Sequence, residues 1–157
     1  MTNYSNFGVV FDVNVYLDAL FTRNKQFPEL AKVPPSSGNA ALDCLSLAFD
    51  GEDFKLHISP HIIENIARVM HEDQYPGELI GKALEALVEI VDLTGGSVVD
   101  PPRLAHDSKD FEDNLILDLV KYTDSRVLVT SDNGLLAMNP WNYRLIMRPM
   151  EFLDHIL

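Results

Sequence analysis

Apolar and polar positions alternate along the chain in blocks that change period. Gly8-Val9-Val10-Phe11 is a short apolar, β-branched run that stops at Asp12, the pattern of a buried strand. Val13 to Phe21 then places Val15, Leu17, Leu20 and Phe21 at helical spacing. Residues 24–38 contain Pro28, Pro34, Pro35, Ser36, Ser37 and Gly38, which predicts a loop. Asn39 to Phe49 returns to a helical pattern, and Lys55-Leu56-His57-Ile58-Ser59 alternates as a strand. Ser59-Pro60 predicts a helix start, a hydroxyl N-cap followed by proline in the first turn. Glu78 to Leu93 carries the strongest helical periodicity, through Leu79, Ile80, Ala83, Leu84, Leu87, Val88 and Val91.

Gly95-Gly96 ends that helix, and Ser97-Val98-Val99 reads as a short strand. A loop over 101–109, a helix over 112–122, a strand over 127–131, a short helix over 133–138, a strand over 143–147 and a terminal helix over 149–156 complete the pattern. Strands separated by helical segments imply an α/β fold, a mainly parallel five-stranded sheet with helices on both faces, within a single domain over 1–157.

Composition narrows the class. Apolar residues at 46% and charged residues at 23% are ordinary for a globular chain and argue against disorder. No apolar run reaches the ~20 residues of a membrane span, and the opening MTNYSNFGVVFD lacks the basic region of a secretory signal, so a cytoplasmic protein is expected. One cysteine, Cys44, excludes an internal disulfide framework and a cysteine-based zinc site; in its helix it reads as a buried small hydrophobe. Twenty-four acidic against twelve basic residues give a net charge of −12. Such a chain repels polyanions at long range and suits a carboxylate site that recruits cations.

In open parallel sheets, ligands sit beyond the carboxyl ends of the strands. Asp12 ends the first strand, Glu64 lies in the early turns of the helix after the second, Asp113 opens the helix from Glu112, and Asp132 follows Val127-Leu128-Val129-Thr130-Ser131. All four therefore fall on one expected rim. Each also has a local reading: Asp12 and Asp132 as helix caps, Asp113 with Asp110 as a cap and a dipole-matching acid, and Glu64 as a solvated face residue. Clustered carboxylates raise one another's pKa values. A hard divalent cation removes that penalty.

Four segments resemble, in order, the motifs of the PIN domain family. Phe11-Asp12-Val13-Asn14 is similar to its opening. Ser59-Pro60-His61-Ile62-Ile63-Glu64 is similar to the segment supplying its glutamate. Asp110-Phe111-Glu112-Asp113-Asn114 is similar to its third acidic motif, and Thr130-Ser131-Asp132-Asn133-Gly134-Leu135-Leu136 to its fourth. The resemblance spans residues 8 to 152 and is nearest to VapC-like toxin ribonucleases of toxin–antitoxin systems. It implies an endoribonuclease that hydrolyses RNA with a water activated by Mg²⁺ or Mn²⁺, the acids Asp12, Glu64, Asp113 and Asp132 serving in catalysis and metal binding, and Asn14 and Thr130 supporting them. It also implies RNA as substrate, an antitoxin protein as partner and a homodimer, the last supported by the apolar residues Phe27, Trp141 and Leu153 in segments expected near the surface.

Two other readings stay open. An aspartate-based phosphatase or phosphotransfer protein also carries an Asp after its first strand, but Asn14 stands where a proton-shuttling Asp would be, and no lysine follows the last strand. A non-catalytic binding module on the same scaffold would not need all four acids. His57 and His61 read as non-ligands, His71, His106 and His155 as surface residues, and Trp141 as a packing or oligomer-contact residue.

Overall fold

The computed structural model describes residues 7–21, 27–28, 30 and 37–157. The loop expected over 24–38 lies mostly outside that set. Four strands, β1 (Gly8–Phe11), β2 (Lys55–His57), β3 (Val127–Val129) and β4 (Leu145–Met147), form one sheet in the order β2-β1-β3-β4. Every pairing is parallel, with Val9 opposite both Leu56 and Val127, and Leu128 opposite Ile146. Parallel neighbours require crossovers. These are α1 (Val13–Leu20) and α2 (Ala40–Asp50) after β1, then α3 (Pro60–Glu72), α4 (Gly77–Leu93) and α5 (Phe111–Tyr122) after β2. Short α6 (Asn133–Leu136) follows β3, and α7 (Pro149–Ile156) follows β4.

All four residues of β1 are buried, so helices cover this central strand on both faces. The side chain of Phe11 anchors the core. Its ring centroid lies 5.8 Å from Tyr16, 5.9 Å from Phe54 and 6.1 Å from Phe152, while Phe54 and Phe152 meet edge to face at 5.2 Å. These rings join the sheet to α1 and α7. Helix starts follow the expected chemistry. Ser59 Oγ accepts the Ile62 N–H at 3.2 Å ahead of Pro60, and Asn39 Oδ1 accepts the Leu42 N–H at 3.1 Å. Trp141 and Leu153, expected near the surface, are buried within this core.

Among the described residues the sheet has four strands, not five. Residues 97–99 make a single parallel bridge, Val98 to Ile58, through Ile58 N–H to Ser97 O (3.0 Å) and Val99 N–H to Ile58 O (3.0 Å). Two features stop the ladder there. On one side Gly96 presses on β2, where an added Cβ would come within 1.8 Å of the Leu56 carbonyl oxygen. On the other, Pro101 and Pro102 have no N–H to continue the pairing.

Two consequences matter for function. The carboxyl ends of all strands share one rim, because every pairing is parallel. The chain also leaves β1 toward β2 and leaves β3 toward β4, so the crevice between β1 and β3 is the topological switch point where ligands bind in such sheets. Thermal melts of two glycine variants test the packing of β2. Gly96→Ala must displace backbone and is expected to destabilise the fold by about 3 kcal/mol, a fall in Tm of about 6–12 °C. Gly81→Ala, with open space around it in α4, is expected to keep Tm or raise it by about 2–4 °C.

Candidate active site

Asp12 stands at the mouth of that crevice. It is 7% exposed, and its carboxylate is surrounded by donors. Oδ1 accepts the Val13 N–H at 2.8 Å, which makes Asp12 the N-cap of α1. Oδ2 accepts the Thr130 hydroxyl at 2.7 Å and the Asn14 amide at 3.1 Å. Thr130 belongs to the chain leaving β3, so this bond spans the crevice. The same Thr130 oxygen accepts the Asp132 N–H at 3.0 Å, and Asn14 Oδ1 accepts the Ser131 N–H at 3.1 Å. Asp132 in turn caps α6 by accepting the Leu135 N–H at 3.0 Å. Asn14 and Thr130 thus set the position of both Asp12 and Asp132.

Asp113 arrives from α5. Asp110 caps that helix by accepting the Glu112 N–H at 2.9 Å. The loop before it is held by buried Asp118, whose Oδ1 accepts the Leu104 and Ala105 N–H groups at 3.0 and 2.6 Å. Gly134 keeps the space between two acids open: a Cβ there would lie 3.2 Å from Asp132 Oδ2 and 3.6 Å from Asp113 Oδ2. The three aspartates feel one another. Burial pushes the Asp12 carboxyl above its ordinary range; the Thr130, Val13 and Asn14 donors pull it back, and the charge of Asp132 adds to the rise. Asp113 is pushed up to about 6, first by burial and then by the charges of Asp132, Asp110 and Asp12.

The fourth expected acid differs. Glu64 is an exposed residue of α3, makes no hydrogen bond or ion pair with a described residue, and does not line the cleft. The cleft beside Asp12 encloses about 250 Å³ and is lined by Asp12, Asp113, His61, Asn65, Arg68 and Glu112, with Val13 and Ile116 as its apolar wall. His61, read from the sequence as a non-ligand, pairs through Nε2 with the Glu112 carboxylate and ties α3 to α5 across the cleft. Its Nδ1 is buried with no partner among the described residues. Arg68 brings the cleft's guanidinium, steadied by Asn65 Oδ1 at 3.0 Å and Glu72 at 3.1 Å. The position of His61, two residues after the Ser59 cap and facing the rim, was the available signal for it. Nothing local marks Arg68 or Asp118.

The molecule is an α/β protein with a carboxylate crevice at the switch point of a parallel sheet, the place where such folds bind ligands. A family model described as PIN domain matches residues 8–134, and the chain belongs to the PIN domain family. The match takes in the first three motifs and the fourth as far as Gly134. No curated protein matches the chain. PIN domains are generally nucleases, hydrolases that typically use divalent metals.

The residues suit such an ion in chemistry. They are hard carboxylate oxygens whose mutual repulsion a cation would relieve. Among the described residues, however, no three His, Cys, Asp or Glu side chains form a closed ligand group. Mg²⁺ is ordinarily held by one or two carboxylates, with waters and substrate phosphates completing its shell. An open set of aspartates fits that habit.

The repulsion gives a pH signature. The folded-state pKa of Asp113 lies above its unfolded value of 3.8, so the folded state binds more protons between about pH 4 and pH 6. Stability therefore falls as pH rises through that window. In metal-free buffer Asp113→Asn is expected to melt about 2–4 °C above the parent at pH 7, a modest shift because solvent screens a partly exposed carboxylate. At pH 4 the two curves are expected to coincide. Melts across pH 4–7 measure this.

Proposed function

We propose that this protein, acting as one PIN-like domain, is a Mg²⁺- or Mn²⁺-dependent endoribonuclease, with Asp12, Glu64, Asp113 and Asp132 as its catalytic and cation-holding acids. The observation that carries the reading is the Thr130–Asp12 hydrogen bond across the β1–β3 crevice, which fixes a nearly buried carboxylate beside Asp132 and Asp113. A buried carboxylate in the field of two others has a high energy unless its charge is used.

A bound divalent ion would supply Lewis acidity, lowering the pKa of a water and polarising the scissile phosphate. The chain's own residues do the positioning. Asp12 is kept in one orientation by Val13, Thr130 and Asn14. Asp132 is held by its N–H on Thr130 and by its cap of α6. Arg68 puts a positive charge on the cleft wall, where a phosphodiester would otherwise meet only carboxylates. Glu64 lies three residues after the cleft-lining His61, on the same flank of α3, and would complete the acid set by turning its exposed side chain toward the cleft.

The family resemblance extends the proposal to a toxin of a toxin–antitoxin pair, cytoplasmic, homodimeric, and neutralised by an antitoxin protein. Among the described residues no helix is long and apolar enough to cross a membrane.

Asp12→Asn keeps the shape of the side chain and removes the charge that holds the ion. It is expected to abolish RNA cleavage, a loss of at least about a hundredfold, with an unchanged circular dichroism spectrum. Added Mn²⁺ is expected to raise its Tm less than that of the parent. Equal cleavage by parent and variant, or cleavage that survives EDTA, would contradict the role given to Asp12.

A further inference from the structure

Among the described residues, two concavities larger than the cleft beside Asp12 lie away from the acids. Two adjoining clefts, of about 530 and 460 Å³, sit at the opposite, amino-terminal ends of β3 and β4, and both are lined by Arg126 and Tyr143. Between them the chain makes a two-residue hairpin. Trp141 N–H donates to Arg144 O at 2.9 Å and Arg144 N–H to Trp141 O at 2.8 Å, while Asn142 (φ 50°) and Tyr143 (φ 66°) are both left-handed. That geometry is a type I′ turn, which favours Asn first and Gly second. Asn142 obeys the preference. Tyr143 violates it with a bulky ring in a strained conformation, and that ring is fully exposed.

The turn is rigid at its base. Trp141 is buried and donates from Nε1 to Asp107 Oδ2 at 2.7 Å. The Arg144 guanidinium donates to Ser125 O at 3.0 Å, Asn142 O at 3.0 Å and Asp124 Oδ1 at 2.7 Å. Beside the ring stand Arg126 and Lys121, both exposed and neither hydrogen-bonded through its side chain to a described residue. On a chain of net charge −12, the smaller of the two clefts gathers Lys121, Arg126 and Arg144 around one acid, Asp124, which pairs with Arg144, while the larger adds Asp53 on the far side of Arg126 and Tyr143. A locally positive surface with a fixed, solvent-facing aromatic ring is the composition of a single-stranded nucleic-acid contact.

The patch also connects with the acids. The segment from Arg144 to Arg148, which contains edge strand β4, rises about 13 Å at strand spacing. At its far end Arg148 donates to Asn133 Oδ1 at 3.0 Å, next to Asp132. Pairing with another strand along this edge is blocked, since the outward N–H of Ile146 is taken by Asn139 Oδ1 at 2.7 Å.

We propose that the Asn142–Tyr143 turn is a second RNA contact, where a base of a single strand stacks on Tyr143 and neighbouring phosphates lie on Arg126 and Lys121, a few nucleotides along the β4 edge from the acids. The inference rests on the ribonuclease reading for its ligand class but on none of the residues of the acid site.

The test is fluorescence anisotropy with labelled oligoadenylate, a 12-mer and a trimer, in EDTA so that no cleavage occurs. Tyr143→Gly installs the residue the turn prefers, so it is expected to fold with an equal or higher Tm. It is expected to weaken 12-mer binding about tenfold, whereas Tyr143→Phe retains it. Arg126→Ala is expected to weaken 12-mer binding and to flatten its salt dependence by about 0.7 in log–log slope. Trimer cleavage in Mn²⁺ is expected to be unchanged in Tyr143→Gly. Parent-like 12-mer binding by Tyr143→Gly, no binding by the parent in EDTA, or conversion of a dimer to a monomer by Tyr143→Gly in sedimentation would each overturn the proposal, the last by assigning the turn to self-association. The two readings fail separately. Loss of cleavage in Asp12→Asn with parent-like binding in Tyr143→Gly leaves only the ribonuclease standing. Absence of any cleavage with weakened binding in Tyr143→Gly leaves only the RNA contact.

Discussion

The hydrogen bond from Thr130 to Asp12 is the interaction on which the rest of the site depends. It crosses the one place in the sheet where successive connections diverge, and it holds the carboxyl ends of β1 and β3 in a fixed relation. Because the same hydroxyl oxygen accepts the Asp132 N–H, a single side chain sets the spacing of two acids. Asn14 duplicates the link by donating to Asp12 and accepting from Ser131. Burial of the Asp12 carboxylate is unfavourable on its own, and these donors offset it. The fold thereby holds a carboxyl group in a place that solvent would not stabilise.

That constraint organises charge across the whole molecule. Asp12, Asp113 and Asp132 concentrate negative potential at the carboxyl rim, where a cation and an RNA phosphate would meet. Free basic side chains collect at the other end, around Tyr143. On the proposed readings, a strongly acidic protein would hold a polyanion by two local devices, a bound cation at one end and a small basic aromatic surface at the other, without a broad basic face.

Much of the fold was legible because its signals are local. The apolar run of β1, the Ser59-Pro60 start of α3 and the periodicity of α4 each depend on neighbours in sequence, and each lies where expected. The common rim of Asp12, Asp113 and Asp132 followed from strand–helix alternation alone. The errors arose where tertiary contact decides. Val98-Val99 has strand composition, yet Gly96 against Leu56 and the following prolines leave it one bridge. Tyr143 has strand composition too, but the buried Trp141 on Asp107 turns the chain there. Glu64 is a different matter and keeps its proposed role: its place outside the cleft lining is set by where α3 lies relative to the sheet. The His61–Glu112 pair depends on how α3 meets α5, which no spacing in the sequence encodes.

The most direct test of the cation site is a crystal of the protein soaked in Mn²⁺ and measured at a wavelength where manganese scatters anomalously. The proposal predicts an anomalous peak within ligand distance of a carboxylate oxygen of Asp12 and of Asp132 or Asp113, and loss of that peak in Asp12→Asn crystals. A fully soaked crystal with no peak at the β1–β3 crevice, or with an identical peak in Asp12→Asn, would contradict it.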